Sequence, residues 1–170
     1  MITYVDTSAL LKLLVDDEPG RVSVEQLWLA STAVVCCEIG YGEARAALAA
    51  AHRARRLTAA GLRDAKAVLD ELWLQLDVVS STNALVRNAA DLAEAAALRG
   101  YDAVHLAAAL GVGVDSFASS DRKLCEAATT NGLHVTNELK ARQRNRRYRA
   151  MRCRGRRRRY RMHAVGVACG

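Results

Sequence analysis

The sequence predicts an α/β fold with a central, mostly parallel sheet. Short runs rich in β-branched residues alternate with longer segments in which apolar residues recur at helical spacing. This alternation is typical of strand–helix–strand units, whose right-handed crossovers make the strands parallel. Aromatic residues make up only 5% of the chain, which favours closely packed helices over a β-sandwich. A chain of 170 residues suffices for one compact domain of this class.

The first elements are a strand, two helices and a second strand. ITYV at 2–5 is a short buried strand, and SALLKLLVDDE at 8–18 has the spacing of a helix closed by Pro19-Gly20. A second helix spans about 21–31, and TAVVCC at 32–37 is the next β-branched run.

Two long helices and a third strand follow. The Ala/Arg-rich stretch at 38–56 is helical, and the stretch at 58–76 places Leu62, Leu69, Leu72, Trp73 and Leu76 on one face. DVV at 77–79 then predicts a strand.

The last part of the domain repeats the alternation. A capped helix at 81–100 is expected to end at Gly100 as its C-cap, and DAVHLAAALGVG predicts another helix. VDSFASS at 114–120 is a strand, the helix after it ends before Gly132, and LHVT at 133–136 is a final strand.

Charge divides the chain into two regions. Residues 1–139 carry 12 Lys+Arg against 18 Asp+Glu, whereas residues 140–170 carry 13 basic residues and no acid. Such a block of like charge cannot bury a core, so we expect a domain at 1–139 and a disordered Arg-rich tail at 140–170.

Several classes of protein are excluded by composition. We find no apolar run of about 18 residues and no secretory leader, so no membrane association is expected. The five cysteines are odd in number and form no C-x-x-C pair, which argues against a disulfide framework or a zinc site. A reducing, cytoplasmic setting fits this pattern.

Four acidic residues from distant parts of the chain are expected at one edge of the sheet. Asp6 ends the first strand, Asp121 follows the fourth, Asp102 opens a helix, and Glu43 lies on the helix after the second strand. Ligands of open α/β sheets bind beyond the carboxyl ends of the strands. Clustered carboxylates repel one another, and Mg²⁺, which prefers oxygen ligands, would neutralise them and suit phosphodiester hydrolysis. Each acid also has a simpler explanation: the aspartates as helix N-caps, and Glu43 as part of a solvated helix face.

Four segments carry a resemblance to a known family. YVDTSALLKLL, YGEARAAL, LRGYDAVHLAAAL and FASSDRKLCEAA, in this order, resemble the PIN-domain ribonucleases, in particular the VapC-type toxins of bacterial toxin–antitoxin pairs. The resemblance covers residues 1 to about 138. It implies a three-layer α/β/α fold and an endoribonuclease that uses Mg²⁺, with Mn²⁺ as a possible substitute. It further implies RNA products with a 5′-phosphate and a 3′-hydroxyl, a cognate antitoxin that blocks or perturbs the acidic site, and a homodimer.

The resemblance also assigns site residues. The catalytic acids of the family fall on Asp6, Glu43, Asp102 and Asp121, with Asp6, Asp102 and Asp121 as the metal ligands. The supporting hydroxyls fall on Thr7, Ser8 and Ser119, although the family more often has threonine at the last position. Glu38 is an alternative to Glu43, but five helical residues separate the two by about 140°, so they would not serve one site.

Other residues have weaker assignments. His105 shares the helical face of Asp102 and could contact substrate or a carboxylate, or be a satisfied, partly buried histidine. Asp115 lies at the wrong end of its strand for the site. Arg122, Arg146 and Arg147 are candidate RNA contacts, and Arg122 could equally form a surface ion pair. The basic tail itself is either an RNA-binding arm or an extension outside the functional protein.

Two rival functions stay open at the level of sequence. One is a non-catalytic nucleic-acid-binding module that acts through the basic tail, with the acids serving as caps. The other is a different metal-dependent phosphotransfer enzyme built on Asp6, although the opening D-T-S lacks the second aspartate of a D-x-D phosphatase motif.

Overall fold

A computed structural model describes residues 1–15 and 18–136. Four strands form one sheet in the order β3-β2-β1-β4, and every neighbouring pair is parallel. The strands are β1 (Ile2–Val5), β2 (Ala33–Cys37), β3 (Asp77–Val79) and β4 (Ser116–Ala118). The expected domain end at residue 139 and the tail at 140–170 lie outside the described residues.

Helices connect the strands and cover both faces of the sheet. They are α1 (Thr7–Leu14), α2 (Arg21–Ala30), α3 (Ile39–Arg53), α4 (Ala59–Trp73), α5 (Asn83–Ala96), α6 (Gly100–Val112) and α7 (Arg122–Thr130). None of these helices is long and apolar enough to cross a membrane.

Side chains along each strand alternate between the two faces of the sheet, and a separate hydrophobic core lies on each face. On one face Val5, Val34, Cys36 and Ala118 pack with apolar residues of α1, α2, α3 and α4. On the other face Tyr4, Val35, Cys37 and Phe117 pack with residues of α6 and α7. The result is the expected three-layer α/β/α arrangement.

Polar caps fix where several helices begin. The side chains of Asp6, Thr58, Thr82 and Asp121 each accept a hydrogen bond from the backbone N–H three residues later. The aspartates that end β1 and follow β4 are therefore N-caps, as the simpler explanation requires. Capping occupies only part of their acceptor capacity, so it leaves a second role open.

Several bounds differ from the sequence prediction. The helix expected at 8–18 ends at Leu14, and the strand expected at 114–120 is limited to Ser116–Ala118. The helix expected to end at Gly100 ends at Ala96, with Ala97 in the left-handed conformation at φ 48°, and Gly100 instead begins α6. The expected final strand LHVT is reduced to one parallel bridge between Val135 and Phe117. Between α5 and α6 the helical spacing of apolar residues continues without interruption, so the sequence does not indicate the break at Ala97.

Candidate active site

The strand order creates a switch point beside β1. The chain steps outward from β1 to β2 to β3, and β4 then returns to the opposite side of β1. The crossovers therefore leave β1 in opposite directions, which opens a crevice at the carboxyl ends of β1 and β4. Asp6 follows β1 at this point, and its backbone N–H donates to the Ala118 carbonyl over 3.0 Å.

Asp6 is a buried carboxylate that accepts hydrogen bonds from three donors. Oδ1 accepts from the Ala9 N–H at 2.8 Å, and Oδ2 accepts from the Ser119 hydroxyl at 2.6 Å. The Ser8 hydroxyl lies 2.8 and 2.9 Å from the two oxygens. Burial raises the pKa of Asp6, although the hydrogen bonds from Ser119, Ala9 and Ser8 oppose this effect.

Two serines tie Asp6 to the loop after β4. The Ser8 hydroxyl accepts from the Ser120 N–H at 2.8 Å, and the Ser119 hydroxyl accepts from the Asp121 N–H at 3.0 Å. Asp121 in turn accepts from the Leu124 N–H at 3.0 Å. The positions of Asp6 and Asp121 are therefore coupled through hydroxyl groups.

Glu43 reaches the same edge from α3. Its Oε2 accepts from the Thr7 hydroxyl at 2.5 Å and lies 2.8 Å from His105 Nε2. Partial burial would raise the pKa of Glu43, but the hydrogen bonds from His105 and Thr7 outweigh it, and the pKa is lowered. Glu43 is therefore held as a carboxylate.

Asp102 completes the group from the first turn of α6. It is half-buried, and we find no hydrogen bond to its carboxylate from residues 1–15 or 18–136. Partial burial raises the pKa of Asp102, and the charges of Asp121 and Glu43 raise it further, against a lowering effect of Arg99. Of the three other acids, Asp121 and Glu43 therefore act on Asp102 through their charges.

Two alternative acids lie elsewhere. Glu38 is exposed, and its Oε1 accepts from the Ser81 N–H at 2.9 Å, so it holds the loop between β3 and α5. Asp115 accepts from the Ile2 N–H at 2.7 Å, at the amino end of β1. Neither bonds to the residues around Asp6.

The structure describes one of the three candidate RNA-binding arginines, Arg122. The side chain of Arg122 is 80% exposed and lies 3.8 Å from the Glu126 carboxylate, a loose surface ion pair. Arg146 and Arg147 lie outside the described residues.

The role of Tyr4 was not predicted from the sequence. Its hydroxyl lies 2.8 Å from His105 Nδ1 and accepts from the Cys37 N–H at 3.1 Å. Burial raises the pKa of Tyr4 far above its ordinary 10.0, so the phenol keeps its proton. A tyrosine in the middle of a fully buried strand was the available signal, because its hydroxyl requires a partner.

The donors suit a hard divalent cation by their chemistry. All four side chains offer oxygen, and burial, which a bound cation would offset, raises the pKa of both Asp6 and Asp102. Within residues 1–15 and 18–136, however, no three His, Cys, Asp or Glu side chains already stand in a metal-binding arrangement. The residues fit the ion in the type of donor atom, and binding would require the carboxylates to converge.

Comparison with known proteins assigns the chain to a family. The model of the PIN domain matches residues 3–129. The chain belongs to the PIN-domain family. Ribonucleases VapC45 and VapC49 of Mycobacterium tuberculosis are each 40% identical to it over 136 residues, which cover 79% of this chain and 94% of the relative. The family resemblance read from the four sequence segments is thereby confirmed.

Several solved structures have a similar fold. The M. tuberculosis toxin VapC20, which cleaves the sarcin–ricin loop, matches with a TM-score of 0.59 at 19% identity, over 77% of this chain and 95% of its own. VapBC2 of Rickettsia felis, solved with a fragment of its promoter DNA, matches with a TM-score of 0.58 at 11% identity, over 80% of this chain and 98% of that chain. At these identities the likeness concerns the fold alone, and it agrees with the parallel sheet flanked by helices.

Proposed function

We propose that this PIN-domain protein is an endoribonuclease toxin that hydrolyses RNA phosphodiester bonds in the cytoplasm with the help of Mg²⁺, or of Mn²⁺ in its place. The toxin would be held inactive by a cognate antitoxin. The ribonuclease relatives at 40% identity support the reaction class, and they span nearly the whole described domain.

One observation carries the catalytic part of the proposal. Carboxylates from four separate segments approach the carboxyl edge of β1 and β4, and each of Asp6, Glu43 and Asp121 is fixed there by a hydrogen bond. Asp102 has no hydrogen bond from the described residues, and the negative charges of Asp121 and Glu43 raise its pKa, as expected for carboxylates near one another.

The side chains divide the work as follows. Asp6, Asp102 and Asp121 would hold the cation, with Ser119 and Ser8 orienting Asp6. Bound Mg²⁺ lowers the pKa of water and neutralises phosphoryl oxygens. Glu43 stays ionised and would accept a proton at Oε1, because both of its hydrogen bonds are made by Oε2.

Basic side chains would bring the RNA backbone to this edge. Arg122 directly follows Asp121, and its side chain is exposed. Contacts from Arg122, Arg146 and Arg147 to phosphates would make binding weaken steeply as salt rises.

Partner binding is the remaining part of the proposal. Toxin–antitoxin complexes such as VapBC2 of R. felis share the fold, and an acidic domain with 18 Asp+Glu against 12 Lys+Arg favours a basic antitoxin segment over its acidic edge. We also propose a homodimer, which light scattering of the purified chain would detect.

Cleavage of labelled RNA by the full chain tests the reaction. We expect cleavage in Mg²⁺, loss of cleavage in EDTA, and loss in Asp6→Asn with the fold retained. Asp91→Asn, on the exposed face of α5, is the matched control and should cleave normally. RNA binding without cleavage by the unmodified chain would overturn the proposal and favour a binding module that acts through the basic tail.

A further inference from the structure

A buried hydrogen-bond chain runs from the backbone of β2 to the candidate site. The Cys37 N–H donates to the Tyr4 hydroxyl, which lies 2.8 Å from His105 Nδ1, and His105 Nε2 lies 2.8 Å from Glu43 Oε2. Tyr4 is 0% and His105 2% exposed. Of the residues in this series of hydrogen bonds, only Glu43 is one of the acids assigned to catalysis in the proposed function.

Proton counting decides the direction of these bonds. The phenol has one proton, and its oxygen already accepts from the Cys37 N–H at 3.1 Å. The acceptor available to that proton is His105 Nδ1. Nδ1 must therefore be unprotonated, and the imidazole carries its proton at Nε2.

The other protonation states leave buried groups unpaired. A proton on Nδ1 would point at the phenol oxygen and leave the buried phenol proton without an acceptor. If Nδ1 alone were protonated, the lone pair of Nε2 would also face the Glu43 carboxylate. The Nε2–H tautomer is the one that satisfies all donors along the chain.

Tyr4 is held firmly in place by its neighbours in the sheet. The Tyr4 ring stacks on Phe117, with centroids 5.4 Å apart and planes at 6°, and meets His105 edge-on at 5.8 Å. Tyr4 lies in a central strand, paired with Val35 on one side and Phe117 on the other. The sheet itself therefore sets the position of the imidazole.

We propose that Tyr4 locks His105 in the Nε2–H tautomer and that His105, acting with Thr7, is a positioning residue for Glu43. The Thr7 hydroxyl and the imidazole donate to the same oxygen, Oε2. The carboxylate is thereby held in one orientation, with Oε1 left for water or a cation. The positioning role for Glu43 rests on the proposed function. The Nε2–H tautomer of His105 does not depend on that function.

The first test is spectroscopic and needs no activity. Long-range proton–nitrogen correlation spectra of the full chain, labelled with ¹⁵N-histidine and kept metal-free, distinguish the two neutral tautomers. The His105 signals are assigned by their loss in His105→Gln. We expect the Nε2–H tautomer in the unmodified chain and a shifted Nδ1 signal in Tyr4→Phe, which keeps the ring and removes the hydroxyl that donates to Nδ1. An Nδ1–H tautomer, or no change in Tyr4→Phe, would overturn the proposal.

The second test concerns catalysis. Partners that orient a site carboxylate typically change activity or metal affinity by roughly 10- to 100-fold when removed. We expect Tyr4→Phe to lower kcat by about that factor with little change in KM. Tyr41→Phe is the matched control, because it removes a hydroxyl on α3 that bonds to Asp70 and Arg45 instead. His105→Gln, which keeps a donor near Nε2, should retain more activity than His105→Leu.

The outcomes separate the two proposals. If the unmodified chain cleaves no RNA, the proposed function fails, while the tautomer result still stands or falls by the spectra. If the unmodified chain cleaves and Tyr4→Phe cleaves equally well, the positioning role is wrong. Circular dichroism during heating shows whether each variant is folded before its rate is compared.

Discussion

The Ser119 hydroxyl donates a 2.6 Å hydrogen bond to the carboxylate of Asp6, which lies 113 residues away in the sequence. The same hydroxyl accepts a hydrogen bond from the Asp121 N–H at 3.0 Å. The neighbouring Ser120 differs, because its buried hydroxyl has no hydrogen-bond partner among the residues that the structure describes. Adjacent serines of the same loop thus make unequal contributions to the fold.

This difference predicts opposite effects of two alanine substitutions. Ser119→Ala removes a donor from a buried carboxylate and should lower the free energy of unfolding by about 1–3 kcal/mol. Ser120→Ala removes a buried hydroxyl that bonds to none of the described residues, so it should be neutral or slightly stabilising. Urea denaturation of the two variants measures the difference, and equal losses would contradict the hydrogen-bond assignment.

Gly40 and Gly42 form a second matched pair, both in α3. A Cβ at Gly40 would lie 2.7 Å from Cys36 Sγ, and Cys36 is fully buried, whereas a Cβ at Gly42 would meet nothing within 4 Å. Gly40→Ala should therefore destabilise the protein by about 1–3 kcal/mol through overpacking. Gly42→Ala should stabilise it by up to about 1 kcal/mol through helix propensity. Thermal unfolding of both variants checks the prediction, and a stable Gly40→Ala would show that Cys36 can move aside.

The placement of the acids at one edge could be predicted because it follows from topology. Parallel strands bring their carboxyl ends together, so Asp6 and Asp121 had to lie near each other once β1 and β4 were neighbours. The fold class was predicted from the same alternation of strands and helices. The roles of the individual residues stay predictions.

The details that the sequence could not predict depend on tertiary contacts. Ala97 ends α5 in a left-handed conformation without glycine, inside an unbroken alanine-rich period. Val135 pairs with Phe117 at a single position instead of forming a strand. The hydroxyl of Tyr4 meets His105 across 101 residues, and a pattern of local spacing cannot reveal that contact.

The raised pKa of Asp6 gives a prediction with a definite sign. Because its pKa in the folded state lies above the ordinary 3.8, ionisation of Asp6 opposes folding. The stability associated with the protonated form is complete below pH 3.8 and is lost as pH rises through the folded-state pKa. In metal-free buffer at pH 7, Asp6→Asn should therefore unfold at a higher temperature than the unmodified chain, and the gap should narrow as pH falls toward 4. A variant that is less stable at pH 7 would contradict this.

Glu43 should behave in the opposite way. Its folded-state pKa lies below the ordinary 4.5, so its contribution to stability is present above pH 4.5 and is lost as pH falls through the folded-state value. Glu43→Gln should lower the melting temperature at pH 7 and have a smaller effect near pH 4. Glu94→Gln, on the exposed side of α5, is the control and should have little effect at either pH.

Divalent cations should stabilise the protein through Asp102. Its half-buried carboxylate has no hydrogen bond from the described residues, and burial together with Asp121 raises its pKa, so a cation would relieve an unfavourable charge. At a concentration of Mg²⁺ or Mn²⁺ about 100 times Kd, binding adds about 2.7 kcal/mol, which corresponds to several degrees in Tm for a chain of this size.

Differential scanning fluorimetry with and without cation measures this shift. We expect it to disappear in EDTA and in Asp102→Asn, and to persist in Asp91→Asn, where the changed aspartate lies on the exposed face of α5. The shift should also shrink on acidification, because protons compete with the cation for a carboxylate of raised pKa. An equal shift in Asp102→Asn and the unmodified chain would place the cation elsewhere and remove Asp102 from the proposed ligands.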